Sequence, residues 1–461
     1  MKKTIAIILA KSAYSTGRIL GKSGTALPGL LAEKVDGNLM SKLAKGNFPD
    51  GIVVVTGTNG KTTTSKMISD MLNGSGVVHI RNTAGSNMRR GIISTLIQNS
   101  NLRGRNKARM AVLEVDEAYV PSVCSAIKPK YVVVTNLFRD QLDRYGELDS
   151  IAKSFEQTFA GTKSKLVLNA DDPLVASIGI KALNKPIFFG ISDYQGDKII
   201  NDHTADSVFE QESGEKLQYL QRYFGHIGIY TSKNKKYTRP EPNINLIKMR
   251  SLTKVGSDFD VKISTQLKKI NISLPGIYNI YNSLAALATT EALGLGVDEA
   301  IRSLSKTSSV FGRGESIEYS GRRVKLLLIK NPTGFNQIIQ TYLKPKPQSN
   351  TLILSINDNI ADGRDVSWLW DSALEDLSSY TGKIVVSGSR SYDMALRLKY
   401  AGFNMDNIKI ANTLKQALDL ATAADPSESG IVYALNTYTA MLEMRQTISR
   451  FSAVKLKGIS K

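Results

Sequence analysis

The stretch Ile52-Val53-Val54-Val55-Thr56-Gly57-Thr58-Asn59-Gly60-Lys61-Thr62-Thr63-Thr64 decides how this chain is read. A β-branched run passes straight into a glycine-containing turn, Lys-Thr follows, and Met67, Ile68 and Met71 mark one face of a helix. Strand, glycine turn, Lys-Thr and helix is the arrangement in which backbone N–H groups and a helix N-terminus cradle phosphates. Lys61 is placed to reach the terminal phosphates and Thr62 to ligate Mg²⁺. The loop is the shorter Gly-x-x-Gly-Lys-Thr form, because Val55 stands where the longer pattern has its first glycine. The expectation is an ATP-type phosphate site built from Gly57, Thr58, Asn59, Gly60, Lys61, Thr62 and Thr63. A chance glycine turn is the alternative, and the flanking strand and helix argue against it.

Working outward, short β-branched runs at 52–56, 110–115, 131–135 and 166–169 are each followed by a helix-length segment. That rhythm predicts an α/β core with a parallel sheet and crossover helices, and the lack of apolar alternation fits strands covered on both faces. Glu114, at the end of its strand, can supply the carboxylate that completes a magnesium site with Thr62. A solvated acidic turn with Asp116 and Glu117 is the bland alternative. A polar stretch at 202–243, with Gly214, Gly225, Gly228, Pro240 and Pro242, reads as an insertion. A helix is expected over 279–293. After Arg313 the strand and helix alternation restarts, at 324–329, 352–356, 384–387 and 431–435, predicting a smaller, Rossmann-like C-terminal α/β domain.

The 461 residues suffice for about three domains. Sixty Lys+Arg against 41 Asp+Glu give a formal charge of +19, which suits a polyanionic substrate, anionic lipid or nucleic acid without choosing among them. A solvated basic surface accounts for the charge equally well. The single cysteine, Cys124, excludes an intramolecular disulfide and a thiolate metal cluster. The opening ten residues imitate a signal peptide, but Lys11 ends the apolar run after seven residues. The reading is a basic amphipathic helix within a helical segment 1–47 packed on the body of a cytoplasmic protein, with contact at the inner face of an anionic membrane left open.

Four markers together identify a family. The loop at 56–64, Thr135-Asn136-Leu137-Phe138-Arg139-Asp140-Gln141-Leu142-Asp143-Arg144-Tyr145-Gly146, Leu168-Asn169-Ala170-Asp171-Asp172-Pro173 and Gly276-Ile277-Tyr278-Asn279-Ile280-Tyr281-Asn282 resemble, in order, the Mur ligase central domain. Two further stretches narrow the resemblance to the MurT branch: Gly24-Thr25-Ala26-Leu27-Pro28-Gly29, and Asn357-Asp358-Asn359-Ile360-Ala361-Asp362-Gly363-Arg364-Asp365-Val366-Ser367-Trp368. The resemblance implies a central ATP-binding domain over 48–316 and a MurT-type ligase domain over 317–461. It implies ATP-dependent amidation of the D-glutamate α-carboxyl of lipid II through an acyl phosphate, in peptidoglycan synthesis. Ammonia would come from a glutamine amidotransferase subunit in a heterodimer, and no nucleic acid is required. It also implies that Asn279, Asn282 and Arg313 contact the nucleotide beside Lys61 and Glu114. Asp365 would complete the partner's Cys–His pair as a glutaminase triad, orienting the imidazolium. Without the resemblance, Asn279 and Asn282 read as helix caps and Asp365 as part of a structural turn.

The chain departs from the family in two places. Gln141 stands where other Mur ligases have histidine, and it cannot titrate. In the insertion, Glu210, Ser213, Ser232 and Lys235 stand where MurT proteins commonly have four zinc-binding cysteines. Ser and Lys are poor zinc ligands, so a ribbon without zinc is expected, with His226 a packed ring. Two other readings stay open at this point: a stand-alone Mur or folylpolyglutamate-type ligase that adds an amino acid, and a nucleotide-dependent scaffold with a dead site. The Asp362-Gly363-Arg364-Asp365 stretch argues against the first. Intact Lys61, Thr62 and Glu114 argue against the second.

Overall fold

Val53, Val54 and Val55 are fully buried on the third strand from one edge of a nine-stranded sheet. The computed structural model describes residues 1–19, 26–82, 85–140, 148–194, 206–207, 209–210, 213–309, 312–344, 350–423 and 430–451. The first six strands are β1 (Gly51–Thr56), β2 (His79–Arg81), β3 (Met110–Glu114), β4 (Tyr131–Val134), β5 (Lys165–Asn169) and β6 (Ile187–Ile191). A separate hairpin, β7 (Gln218–Phe224) and β8 (Ile227–Thr231), precedes β9 (Ile244–Leu252), β10 (Ser257–Ile263) and β11 (Gln266–Ile272). The spatial order is β11-β10-β9-β6-β5-β4-β1-β3-β2. It is parallel from β2 to β9 and antiparallel across β9, β10 and β11.

From β1 the chain runs to one side, to β2 and then β3, before crossing to β4 on the other, so the end of β1 is a topological switch point, where ligands bind in open α/β sheets. Both faces of the parallel part are covered. Val54 belongs to one apolar core, with Leu113, Ile92 and Ile7, and Val53 and Val55 belong to the other, with Met67, Ile280 and Leu284. Double coverage removes the alternation from these strands. The antiparallel extension was not part of the sequence expectation. Its signal is period-two burial of Phe259, Val261 and Ile263, and of Ile270 and Ile272, as in a sheet packed on one face.

Three N-terminal helices, α1 (Lys2–Ile19), α2 (Ala26–Val35) and α3 (Leu39–Ala44), close one face of the sheet. Two more helices matter for the site, α4 (Lys61–Gly74) after β1 and α5 (Arg89–Gln98) before β3. Ala6, Ile7 and Ala10 of α1 are buried in the same core as Ile92, Ile93 and Leu96 of α5. Each isoleucine fully removed from water there contributes about 1.5–3 kcal/mol. Gly29 lets α2 approach α5: a Cβ on it would lie 1.9 Å from the Arg90 carbonyl oxygen.

A second sheet of six strands comprises β12 (Arg313–Tyr319), β13 (Arg322–Leu328), β14 (Thr351–Ser355), β15 (Ile384–Ser387), β16 (Ile408–Ile410) and β17 (Val432–Asn436). Its order is β12-β13-β17-β14-β15-β16, parallel except for the β12–β13 hairpin. The expected division at 316/317 falls inside β12, so the second sheet begins with Arg313 rather than after it. Among the described residues, no helix is long and apolar enough to cross a membrane.

Candidate active site

The glycine loop bends back on itself because Gly57 and Gly60 take positive φ. A Cβ at Gly60 would lie 2.1 Å from Asn282 Oδ1, so this position also needs glycine for space. The loop is pinned by the strand beside it. Asn136 Oδ1 accepts the Asn59 N–H at 2.9 Å, Thr58 N–H donates to the Asn136 carbonyl at 2.8 Å, and Thr135 Oγ1 donates to the Asn59 carbonyl at 2.7 Å. Thr63 and Thr64 lie in the first turn of α4, whose start carries no side-chain cap. The first N–H groups of α4 are therefore available to an anion.

Thr62 Oγ1 donates to Glu114 Oε1 at 3.0 Å, which brings together the two residues expected at the metal. Glu114 is buried, and its Oε2 has no hydrogen-bond partner among the described residues. Asn82 fixes the Glu114 backbone from both sides, donating to its carbonyl at 2.9 Å and accepting its N–H at 2.8 Å. A buried carboxylate oxygen left open beside a threonine hydroxyl fits a hard cation. Among the described residues no group of three or more His, Cys, Asp or Glu could hold a metal by itself. Two protein oxygens suit magnesium, which retains waters and takes phosphate oxygens rather than a full protein cage.

Lys61 is held by a residue the sequence reading left as a bystander. Its Nζ lies 2.9 Å from Glu117 Oε2, with both side chains almost fully buried, and it also donates to the Gly57 carbonyl at 2.5 Å. Burial alone pulls the Lys61 ammonium down, but Glu117, Asp116 and Glu114 outweigh it and hold the group above its ordinary value, fully charged. Glu117 thus supplies, from within the protein, a counter-charge to the lysine expected on the terminal phosphates.

The nucleotide loop faces two cavities between the sheets. One is lined by Gly60, Asn279, Asn282 and Arg313, together with an aromatic wall of Phe138, Phe224 and Tyr281. Phe138 and Phe224 stack with centroids 5.9 Å apart, and Phe224 meets Tyr281 edge-on at 5.8 Å. Phe224 comes from the β7–β8 hairpin, so the insertion furnishes part of this wall. Asn279 and Asn282 do not cap their helix (Ile277–Leu293), whose N-cap is Gly276. Asn282 Oδ1 accepts from Thr64 Oγ1 at 3.2 Å, and Asn279 Oδ1 accepts from Asn282 Nδ2 at 3.2 Å.

The second cavity is lined by Lys61, Thr62 and Glu114 from the first sheet and by Asp362, Arg364 and Tyr438 from the second. Arg313 lines both cavities; burial pulls its guanidinium below the ordinary value and Glu114 opposes this. Lys330 bridges the two halves, donating to Asp140 Oδ2 at 2.5 Å, and Asn331 Nδ2 donates to Asn59 Oδ1 at 3.2 Å. Neither contact is visible in the sequence, because each joins elements 190 or more residues apart. Asp365 stands apart from the rest. It lines neither cavity and accepts the Ser367 N–H at 2.8 Å on a partly exposed turn. Gln141 lies outside the described residues.

In the insertion, Ser213 donates to Glu210, and Ser232 Oγ donates to Asn234 Oδ1 at 2.7 Å while accepting the Tyr237 N–H at 3.0 Å. Hydrogen bonds therefore close the turns around three of the four positions considered for zinc, and Lys235 takes a positive φ beside them. His226 is fully buried, 4.7 Å from the Phe138 ring and 3.4 Å from Asp172 Oδ1. Arg239 Nε donates to Asp171 Oδ1 at 2.5 Å, so the adjoining aspartates tie the hairpin to the end of β5.

Residues 55–290 match the Mur ligase middle domain family and residues 328–441 the MurT ligase C-terminal family. The chain is 32% identical over 98% of both chains to the lipid II isoglutaminyl synthase (glutamine-hydrolyzing) subunit MurT of Staphylococcus aureus (strain COL). It is 33% identical over 99% of both chains to the subunit of the same name from Streptococcus pneumoniae (strain ATCC BAA-255 / R6). Among solved structures, a pseudomurein peptide ligase type C from Methanothermus fervidus superposes with a TM-score of 0.68 at 22% identity, covering 90% of this chain and 81% of that one. The MurF ligase of Thermotoga maritima in complex with ADP gives 0.63 at 16%, covering 91% and 84%. With its nucleotide loop, its two-sheet architecture and full-length relatives of one kind, the chain belongs to the MurT family of Mur ligases.

Proposed function

We propose that this chain is the ligase subunit of a lipid II isoglutaminyl synthase, converting the D-glutamate α-carboxyl of the stem peptide to D-isoglutamine with ATP. The observation that carries the reading is the loop 357–367, which reaches two places at once. Asp362 and Arg364 line the cavity that contains Lys61 and Glu114, while Asp365, the next residue, lies outside it. One loop thus spans the expected acyl-transfer site and the position at which a second subunit would use an aspartate.

In the proposed reaction, the adenine lies against Phe138, Phe224 and Tyr281, and the phosphates extend along the loop to Lys61. Leaving Glu117, Lys61 pairs with the terminal phosphate as the substrate carboxylate attacks its phosphorus and the bond to the β-phosphate oxygen breaks, releasing ADP. Thr62 and Glu114 would hold magnesium, which would supply charge neutralisation on the phosphates. Arg364 faces the developing acyl phosphate from the second sheet, and the Lys330–Asp140 bridge keeps the halves closed so that ammonia, rather than water, displaces phosphate.

Ammonia comes from a glutamine amidotransferase partner in a heterodimer, with Asp365 orienting that partner's catalytic imidazole. An exposed apolar stripe, Tyr392, Leu396 and Tyr400, with Trp370 against Tyr400 at 5.6 Å, offers a surface for it. Arg390 and Ser389, immediately before this stripe, contact Asp358 of the same loop. The substrate places the complex in the cytoplasm, at the inner face of the membrane.

The test is Asp365→Asn, assayed with the partner present. Glutamine-driven amidation should fall by at least about 10³-fold, as when a triad loses its orienting carboxylate. Ammonium-driven amidation should stay within about twofold of wild type, because Asp365 lines neither cavity. Equal loss of both activities would remove the triad assignment.

A further inference from the structure

Helix α1 buries Ala6, Ile7 and Ala10 but leaves Ile5, Ile8 and Leu9 40–49% exposed. Spaced i, i+3 and i+4, these three form a continuous apolar strip on the solvent side. Lys2 is exposed beside them, and Lys3 reaches across to the loop 101–107: a Cβ on Gly104 would meet Lys3 Cε at 2.2 Å. That loop carries the same combination of groups. Leu102 is exposed, flanked by exposed Arg103, Arg105 and Lys107.

The charge around this face has one sign. Residues 1–32 contain five Lys/Arg and no acid, and residues 71–113 contain seven and no acid. The acids of the adjoining helices and strand start are engaged elsewhere: Glu33 by Arg89, Asp36 by Lys42 and Asp50 by Arg109. Among the described residues, Lys2, Lys3, Arg103, Arg105 and Lys107 form no ion pair, so their counter-charge is left to solvent or a partner.

We infer that the outer face of α1 and the loop 101–107 form a docking surface for an anionic lipid bilayer. An apolar strip rimmed by lysine and arginine inserts to the depth of the lipid headgroups while the cations meet the phosphates, and neither group alone gives stable attachment. The inference rests on the lipid-linked substrate proposed above, and the fold connects the two. Met88, the N-cap of α5, lines the cavity containing Lys61, and the ten residues of the helix, about 15 Å long, end just before the basic loop. A bilayer on this face therefore lies within one short helix of the cavity that receives the headgroup-linked peptide.

The experiment is co-sedimentation of the full chain with vesicles free of lipid II, either phosphatidylglycerol with phosphatidylcholine or phosphatidylcholine alone. At about 0.1 M salt the chain should bind the anionic vesicles at least tenfold more tightly than the neutral ones, and at about 0.5 M that preference should collapse. Ile8→Glu with Leu9→Glu, and separately Arg103→Glu with Arg105→Glu, should each weaken binding at least tenfold. All four side chains are exposed, so unchanged thermal unfolding of both variants checks the fold. Equal binding to both vesicle types, or wild-type binding by both variants, would overturn the inference. So would a wild-type dimer that the variants dissolve without any change in vesicle binding. Amidation of detergent-solubilised lipid II, run on the same samples, separates this from the functional reading: its loss in the wild type would sink the reading, while its retention in variants that still bind vesicles would sink only the docking surface.

Discussion

Replacing Glu117 by Gln should weaken the nucleotide-free protein and tighten its grip on ATP at the same time. Glu117 and Lys61 are 2.9 Å apart and buried. At an effective dielectric of 20, two unit charges at that separation attract by about 6 kcal/mol before desolvation is counted. Removing one partner of such a pair costs about 3–5 kcal/mol, and Gln retains a hydrogen bond to the ammonium, so about 3 kcal/mol is expected. The bound phosphates supply the counter-charge that the variant lacks, so part of this loss returns on binding. Recovery of half to all of it corresponds to ATP affinity about 10- to 150-fold tighter, since 1.4 kcal/mol is tenfold. Titration calorimetry with a non-hydrolysable ATP analogue measures the affinity, and urea unfolding with and without the analogue measures the stability gain. A folded Glu117→Gln variant that binds the analogue no more tightly than wild type would refute the reasoning, because Glu117 would then not compete with phosphate for Lys61.

Three further outcomes follow from the same geometry. Lys61→Ala should abolish ATP turnover, read as phosphate release, with the fold kept because the buried Glu117 can protonate: burial already raises its carboxyl above the usual range. Glu114→Gln should raise the magnesium concentration for half-maximal activity by at least about tenfold, with excess magnesium restoring part of the rate. Phe224→Ala should weaken ATP binding about three- to tenfold, the value of an aromatic contact, while leaving kcat within about twofold.

Much of the site was legible because it is local. The loop 56–64 lies on one strand and one helix turn, and Glu114 ends the neighbouring strand, so β-branched runs and spacing sufficed to pair Thr62 with Glu114. Asn279 and Asn282 could be placed only through a family resemblance, since Asn282 reaches Thr64 across 218 residues and Asn279 is tied to the loop through Asn282. What went unread is tertiary. Lys330 meets Asp140, and Phe224 meets Phe138, only after two sheets and a hairpin have assembled. The antiparallel β10–β11 extension was different, because the alternation of Phe259, Val261 and Ile263 was open to reading. Glu117 is the clearest lesson. Beside Glu114 it reads as a solvated acid, yet folding turns it inward onto Lys61, and only burial reveals what it does.

The most direct test of the account is amidation of lipid II by the purified chain with ATP, supplied first with ammonium chloride and then with glutamine, each with and without a glutamine amidotransferase subunit. The account predicts D-isoglutamine from ammonium by the chain alone, and from glutamine only when the partner is present. Incorporation of a labelled amino acid with no amidation under any condition would contradict it.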